Sequence, residues 1–520
     1  MTEPIRLKMI KELFDNPADG KMYTVDAYVE KVFRRDDGLN IFTVFDGTDY
    51  LKLTKFVPKT VAFPEIVRGS VVRFTFKTKY YEGNLEGTPV DALILEGSDH
   101  ATFMKTFRGR LAKKFSPDRD SLIIESSSLE KLKDRFKSIA SLIRQAVYEK
   151  RPILMTHHAD CDGFSAGFLL ETAISELISK VHPHERFADR LITRIPSRTP
   201  FYDVSDATRD IGFFMTANNR HGERPPLVLI VDNGSTLQDL LSIRKVKLFG
   251  ADVAVIDHHD PGLLDENGQS KICKEVLEHV NPHLVGLSSY YSASLLSYIV
   301  SAYVIDTRPS LIPAILGAIA DRSDVPELSL MIEQSGESRG YFESLALYVN
   351  YEIYLTRMNS SYSALKELVM SSPSRQKEIM NLYEDFFKRQ EEDVKKSLQK
   401  YHVMERHGLY DVCLIDGEVL TFRGDYYSIG KIAGIAHDTV HSTNSKNAVT
   451  IVFSDGMFVF RAKQDMERFD VNTLITHLKE RFPFARIDGG GHAAAGSVKM
   501  LPVASSDVLS EIKHYINNLR

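Results

Sequence analysis

Four short clusters of carboxylates and imidazoles stand in order along the middle of the chain. They are His157-His158-Ala159-Asp160-Cys161-Asp162-Gly163, Asp232-Asn233-Gly234-Ser235, Asp257-His258-His259-Asp260 and Asp321-Arg322-Ser323-Asp324. An Asp-x-Asp pair at a strand end brings two carboxylates close together. Like charges so placed raise each other's pKa unless a cation neutralises them. Aspartates with histidines, and without a cysteine ligand set, suit hard or borderline ions such as manganese or magnesium. Two such ions, ~3.5–4 Å apart, can share a hydroxide and clamp a phosphate oxygen. A lone strand-end aspartate is more often a cap or turn residue. Four clusters, each closing an apolar run or a helix, argue instead for one assembled site.

The runs that precede the clusters must position them. PILMT, LVLIV and VAVI lead into the first three, and the helix-like LIPAILGAIA leads into the fourth. Short, fully apolar runs that alternate with helical stretches such as FSAGFLLETAISELISK predict a parallel sheet buried on both faces. In such sheets ligands sit beyond the carboxyl ends of the strands, where the clusters fall. Before the sheet, Leu129, Leu132, Phe136, Ile139, Ile143 and Val147 recur at helical spacing. That periodicity predicts an amphipathic helix. The expected fold class is α/β. A parallel-sheet domain spans 151–340, a helical bridge 341–405, and a smaller α/β domain 406–520 that closes on DGGGHAAAGS.

Upstream, residues 1–100 read as a small β-barrel of the OB-like kind, with about five strands broken by Asp-Gly, Gly-Asn and Glu-Gly turns. Phe42, Phe74, Phe76, Tyr80 and Tyr81, with Arg34, Arg35, Arg73 and Lys79, are candidates to stack and neutralise a single strand. Against that, alternate aromatics must fill the barrel core. Residues 101–150 form a basic connector and helix, in which Phe103, Phe107 and Phe115 interleave with Lys105, Arg108, Arg110, Lys113 and Lys114. This reads as a solvated linker helix ahead of a phosphate-backbone contact.

The chain has 520 residues and a net charge of −5, so nucleic acid would have to be met by local basic patches. Cys161, Cys273 and Cys413 are scattered and form neither a disulfide framework nor a zinc site. No stretch approaches the roughly 20 apolar residues of a membrane span, and the start lacks the apolar core of a secretory signal. A cytoplasmic setting without membrane contact is expected.

Residues 150–330 resemble the catalytic domain of the DHH phosphoesterase family, named after the triplet at 257–259. HADCDG, VDNGS, VIDHHDPG and GAIADRSD match its four ordered motifs. HVNPH at 279–283 stands where the family often has Asn-Pro, and GGGHAAAGS at 489–497 resembles the signature of the DHH-associated substrate-binding domain. With the N-terminal barrel, the resemblance runs to archaeal RecJ-like single-strand nucleases.

That resemblance implies a metal-dependent phosphodiesterase, an exonuclease on single-stranded DNA or RNA using a hydroxide activated by two divalent cations, manganese first and magnesium second. One cation would be held by the motif-one histidine, Asp160 and Asp232. The other would be held by Asp162, Asp232, His258 and Asp321, so that Asp232 bridges. Some members place the motif-one histidine at the position of Thr156, others at that of His158; His158 is the expected ligand, with His157 in reserve. Asp257 would orient His258, and His259 would face the scissile phosphate. Arg461 sits where the family binds phosphate, and Gly489, Gly490, Gly491 and His492 would bind substrate, with Arg423 and Lys431 as further contacts.

The same motifs permit hydrolysis of short oligonucleotides or cyclic dinucleotides. A scaffold role in a replication or repair complex, as in relatives that have lost ligands, is disfavoured because every carboxylate position is filled. The expected partners are single-stranded nucleic acid and such a complex. The stretch 180–226 reads as a docking or lid element, or as a plain loop.

Overall fold

The computed structural model describes residues 3–519 apart from 82, 183–190, 198, 200, 222–223, 357–361, 421–428, 442–446 and 464–467, and only the backbone of 217–221. The chain divides into two compact units, Met1–Ser116 and Pro117–Arg520.

The first unit is a closed five-stranded barrel. β1 (Ile5–Arg6) runs beside β2 (Met22–Arg34); β3 (Leu39–Phe45), β4 (Tyr50–Phe56), β5 (Val71–Tyr81) and β6 (Asn84–Ile94) follow. The order is β2-β3-β4-β6-β5, and β5 closes back on β2. Alternate side chains of β2 are buried, as period-2 geometry requires. The same alternation sends Phe42, Phe74 and Phe76 into the core, so these three cannot stack on a ligand. Arg34 donates to the carbonyls of Phe63 and Ile66, and Arg73 pairs with Asp26 at 2.7 Å. Tyr80 and Tyr81 are exposed.

The expected solvated connector is also part of this unit. Helix Gly97–Phe115 lays Phe103 and Phe107 against Tyr28 and Phe45, with ring centroids 5.5–5.7 Å apart along that series. Its Arg110 and Lys114 bond to Asp46 and to the carbonyl of Thr48. These two basic residues therefore serve the barrel before any ligand.

The second unit opens with helix Lys133–Tyr148 and continues with a parallel sheet. Its strands are β7 (Ile153–His157), β8 (Ile192–Pro196), β9 (Leu227–Val231), β10 (Asp252–Ile256) and β11 (Glu278–Val280). The order is β11-β10-β9-β7-β8, with every pairing parallel. Helices Cys161–Val181, Ala293–Ile305 and Leu311–Ala320 belong to one core cluster, and residues of helices Val204–His221 and Leu240–Leu248 to a second. Burial on both faces explains why β9 is apolar throughout and β7 apolar up to Thr156, with every residue of both strands buried. The stretch 180–226 is not a plain loop: it supplies the edge strand β8 and the helix Val204–His221.

Helices Pro326–Ser335, Arg339–Thr356, Ser363–Val369 and Pro373–Tyr401 lead to a mixed sheet. It contains β12 (His402–His407), β13 (Tyr410–Asp416), β14 (Ala448–Ser454), β15 (Met457–Ala462), β16 (Asp488–His492) and β17 (Ala495–Lys499), in the order β12-β13-β14-β15-β17-β16. Helices Val471–Arg481 and Ser505–Asn518 cover its core. Among the described residues, no helix is long and apolar enough to cross a membrane.

Candidate metal centre

The parallel sheet changes winding direction between β7 and β9. At such a switch point the loops after adjacent strands diverge and leave a crevice at their carboxyl ends. The first two clusters lie there. Asp160 caps helix Cys161–Val181, its Oδ1 accepting from the amide of Gly163 at 3.0 Å. Its Oδ2 stands 2.8 Å from Nδ1 of His158. Gly163 is required by close approach: a Cβ there would lie 2.3 Å from the carbonyl oxygen of His158 and 2.9 Å from Oδ2 of Asp232. Asp162 accepts from the amides of Ala293 and Ser294 at 2.8 and 3.1 Å, at the start of helix Ala293–Ile305. Asp232 follows β9 with φ of 55°, in the left-handed region. It is 2% exposed, and its Oδ2 has no hydrogen-bond partner.

The third cluster follows β10. Oδ1 of Asp257 accepts from the amide of His258 at 2.7 Å and from Nδ1 of His259 at 2.7 Å, while Oδ2 accepts from the amide of Ser235. Nδ1 of His258 meets the carbonyl of Ser289 at 2.7 Å, which turns Nε2 toward Asp232 Oδ1 at 3.3 Å and Asp162 Oδ2 at 3.9 Å. Asp321 ends helix Leu311–Ala320, with Oδ2 3.6 Å from His258.

Burial lifts the Asp232 carboxyl well above the usual range, and Asp160 and Asp162 add to it. Asp162 is raised by burial as well. Burial opposes a charge on His158 and His258, but the surrounding carboxylates prevail; they lift His158 to about 9 and His258 well above its ordinary value. Imidazolium charge is thus drawn into a nest of carboxylates, and a cation fits the same places. His158, Asp160 and Asp232 bring ligand atoms within 4.8 Å of one another, as do Asp162, His258 and Asp321. The unpartnered Asp232 oxygen and an all-oxygen-and-imidazole donor set fit hard or borderline divalent cations.

His157 does not join them. Its Nδ1 is 2.6 Å from the carbonyl oxygen of His158 and its ring packs near Tyr362. Burial, with Arg194 close by, pushes its pKa down to about 3, so it is neutral. Asp257 also differs from expectation: it holds the ring of His259, while a main-chain carbonyl holds that of His258. His492 ends β16, with its ring stacked on His259 at 5.3 Å and Nε2 3.9 Å from Asp321.

Arg461 and Lys431 line a cleft of about 1660 Å³ together with Asp160, Asp321 and His492. Burial, with Arg322 close by, pushes Arg461 down to about 10 and Lys431 to about 8. Arg423 lies outside the described residues. Gly489 and Gly491 are needed first by packing, since a Cβ at either would meet a β17 carbonyl oxygen within 2.5 Å. Gly490 instead faces Gln238, whose side chain donates to Asp488 and to the carbonyl of Gly489. Gln238, Ser289 and the Ala293–Ser294 amides escaped sequence reading, and Arg322 was read only as part of the fourth cluster. Only Ser292, a polar residue ahead of an apolar helical run, carried a readable signal.

A parallel sheet whose strand ends gather these aspartates and histidines, joined to a domain carrying Gly-Gly-Gly-His, defines a DHH-class architecture. No family model matches the chain. It is 27% identical to the uncharacterized protein MJ1198 of Methanocaldococcus jannaschii, over 99% of this chain and 72% of that protein. A solved DHH domain, described as coming from a member of a family of ribosomal proteins, is 30% identical, covers 82% of this chain and 100% of its own, and superposes with a TM-score of 0.74. Manganese-bound RecJ of Thermus thermophilus aligns at 16% identity over 79% of this chain and 59% of its own, with a TM-score of 0.48. The chain belongs to the DHH-domain family.

Proposed function

We propose that the chain is a divalent-cation-dependent phosphodiesterase acting as an exonuclease on single-stranded DNA or RNA. The observation that carries this reading is Asp232: buried, unpartnered at Oδ2, and within reach of both the His158–Asp160 pair and His258. His158, Asp160 and Asp232 would hold one cation, and Asp162, Asp232, His258 and Asp321 a second, manganese or magnesium. When bound, such cations supply Lewis-acid stabilisation of developing phosphate charge and make water a competent nucleophile at neutral pH.

The chain's own side chains do the rest. Asp257 accepts the hydrogen bond from Nδ1 of His259, which leaves Nε2 as a proton acceptor on the ring stacked against His492. Burial keeps that ring neutral. Arg461 and Lys431 supply positive charge for phosphates outside the reacting bond. His492, set across the cleft from Asp321, would meet the substrate's terminal group. A cleft lined by residues of both sheet domains, with His492 at the end of β16 beside Asp321, favours a strand end over an internal bond.

A manganese-dependent digestion of end-labelled single-stranded DNA, matched RNA and a dinucleotide, with Asp232→Asn as control, tests the proposal. Progressive shortening that vanishes in the variant is expected. Turnover of the dinucleotide alone would restrict the substrate to short oligonucleotides. The absence of any cation-dependent hydrolysis would remove the catalytic reading.

A further inference from the structure

The stretch HVNPH at 279–283 stands out in the sequence, yet the hydrolytic site described above uses none of it. It closes β11, whose end lies beside those of β10 and β9 in the sheet order β11-β10-β9. His279 is buried there with Ser235 and Asn281. Nδ2 of Asn281 donates to Oγ of Ser235 at 2.9 Å and to the carbonyl of His259 at 2.8 Å. Its Oδ1 accepts from the amide of His283 at 2.9 Å, which settles which end of the side-chain amide is which. Nε2 of His279 stands 2.9 Å from the same Ser235 hydroxyl, and its Nδ1 is 3.4 Å from Sγ of Cys273. Burial, with Arg135 close by, pushes His279 down to about 4, so the ring is neutral.

These three uncharged side chains brace the ends of three adjacent strands. Ser235 follows β9, and its amide donates at 3.1 Å to Oδ2 of Asp257, which follows β10. Oδ1 of Asp257 accepts from Nδ1 of His259. Asn281, just past β11, holds the His259 carbonyl. His259 is thus gripped at its ring and at its main chain, and both grips run back to Ser235. Apolar groups of the same shape would hold three loops together without burying a polar atom. A satisfied polar network does something more, because it admits one arrangement of its members. Being neutral, this one supplies geometry and no charge.

We infer that His279, Ser235 and Asn281 are positioning residues, which set the angle at which His259 presents Nε2 to the scissile phosphate. None of the three touches a group assigned to the cations; they act through Asp257 and the His259 main chain. The inference rests on the hydrolytic reading, in which His259 takes up a proton.

The test uses the full chain with manganese and an end-labelled single-stranded DNA. Two changes break the brace at similar volume. His279→Leu removes the nitrogen that faces Ser235, and Asn281→Asp removes both N–H donors. Each should lower kcat by about 10–100-fold, the usual effect of losing a group that orients an active-site imidazole. KM should stay within twofold, and manganese affinity by calorimetric titration within threefold. His279→Gln, whose amide can again face the hydroxyl, should restore kcat to within threefold of the parent. In a His259→Ala background, His279→Leu should cost less than twofold, since a residue that acts through His259 has nothing left to position. A merely structural role would lower the melting temperature and give neither the rescue nor this non-additivity. Crystal structures of the cation-free parent and of both brace variants read the ring without turnover. His259 should turn by more than about 20°, the tolerance of a productive site. A ring that stays in place, full additivity with His259→Ala, or manganese affinity that falls in step with kcat would overturn the proposal. If the parent hydrolyses nothing while the ring turns as expected, the brace stands and the hydrolytic reading falls. If strands are hydrolysed and the brace variants keep both ring and rate, the brace alone falls.

Discussion

His157 and His158 are chemically identical neighbours in opposite surroundings. One is a neutral ring turned into the core; the other stands 2.8 Å from Asp160 and 3.7 Å from Asp232. His158→Ala should weaken manganese binding at least tenfold by calorimetric titration. His157→Ala should leave that affinity within threefold but cost about 1–3 kcal/mol of stability, from a lost buried hydrogen bond. The reverse pattern would exchange their roles. Asp257→Asn should lower activity by about 10–100-fold with cation stoichiometry intact, the usual effect of losing a residue that orients an active-site imidazole. Asp232 allows a pH prediction. Its folded-state pKa lies above the unfolded value, so the native state holds the proton more tightly. In cation-free buffer that contribution to stability is complete below about pH 3.9 and is lost as pH rises toward the folded value. Asp232→Asn removes this dependence and suits the left-handed backbone, so without cations at pH 7 it should melt about 2–4 °C above the parent. A lower melting point would show that the carboxylate is not under strain.

At the scale of elements, much of the molecule was legible. β7, β9 and β10 are fully or almost fully buried because both faces of their sheet are covered, and their apolar pattern is visible in the chain itself. β8 was not visible, since Ile-Thr-Arg-Ile-Pro does not read as buried. Its Arg194 is hidden because the guanidinium lies 5.2 Å from the ring of Phe164 and 4.9 Å from that of Tyr362. In the barrel, alternation predicted that some aromatics must be core, but which ones depended on register; Phe42 and Phe33 differ only in the direction they point. The groups that orient His258 and Asp162, contributed by Ser289 and by Ala293–Ser294, are main-chain atoms, which leave no trace in residue type. Gly163→Ala offers an element-scale test. The added Cβ would strike a backbone oxygen, not a flexible side chain, so the turn itself must move. The expected result is a loss of cation affinity together with a lowered melting temperature, whereas a variant indistinguishable from the parent would show that the turn has slack.

On the scale of the whole molecule, the parallel sheet and the mixed sheet meet through Gln238, Asp488 and Gly489, and through the stacked rings of His259 and His492. Gln238 touches no group assigned to the chemistry, yet it holds β16 over the carboxylates. Gln238→Ala should raise KM for a strand several-fold, leave kcat within twofold, and increase the radius of gyration measured by X-ray scattering. An unchanged KM and radius would mean that other contacts suffice for closure.

Asp232 has one more consequence. Its charge is buried among like charges and its backbone is in a conformation that asparagine or glycine accepts more readily. Stability and use therefore pull this position in opposite directions. On the proposed chemistry, a lineage released from it should drift at residue 232 early, while its strands and helices persist unchanged. The amino acid found there in each descendant of the fold then serves as a fossil marker, dating when its chemistry fell out of service.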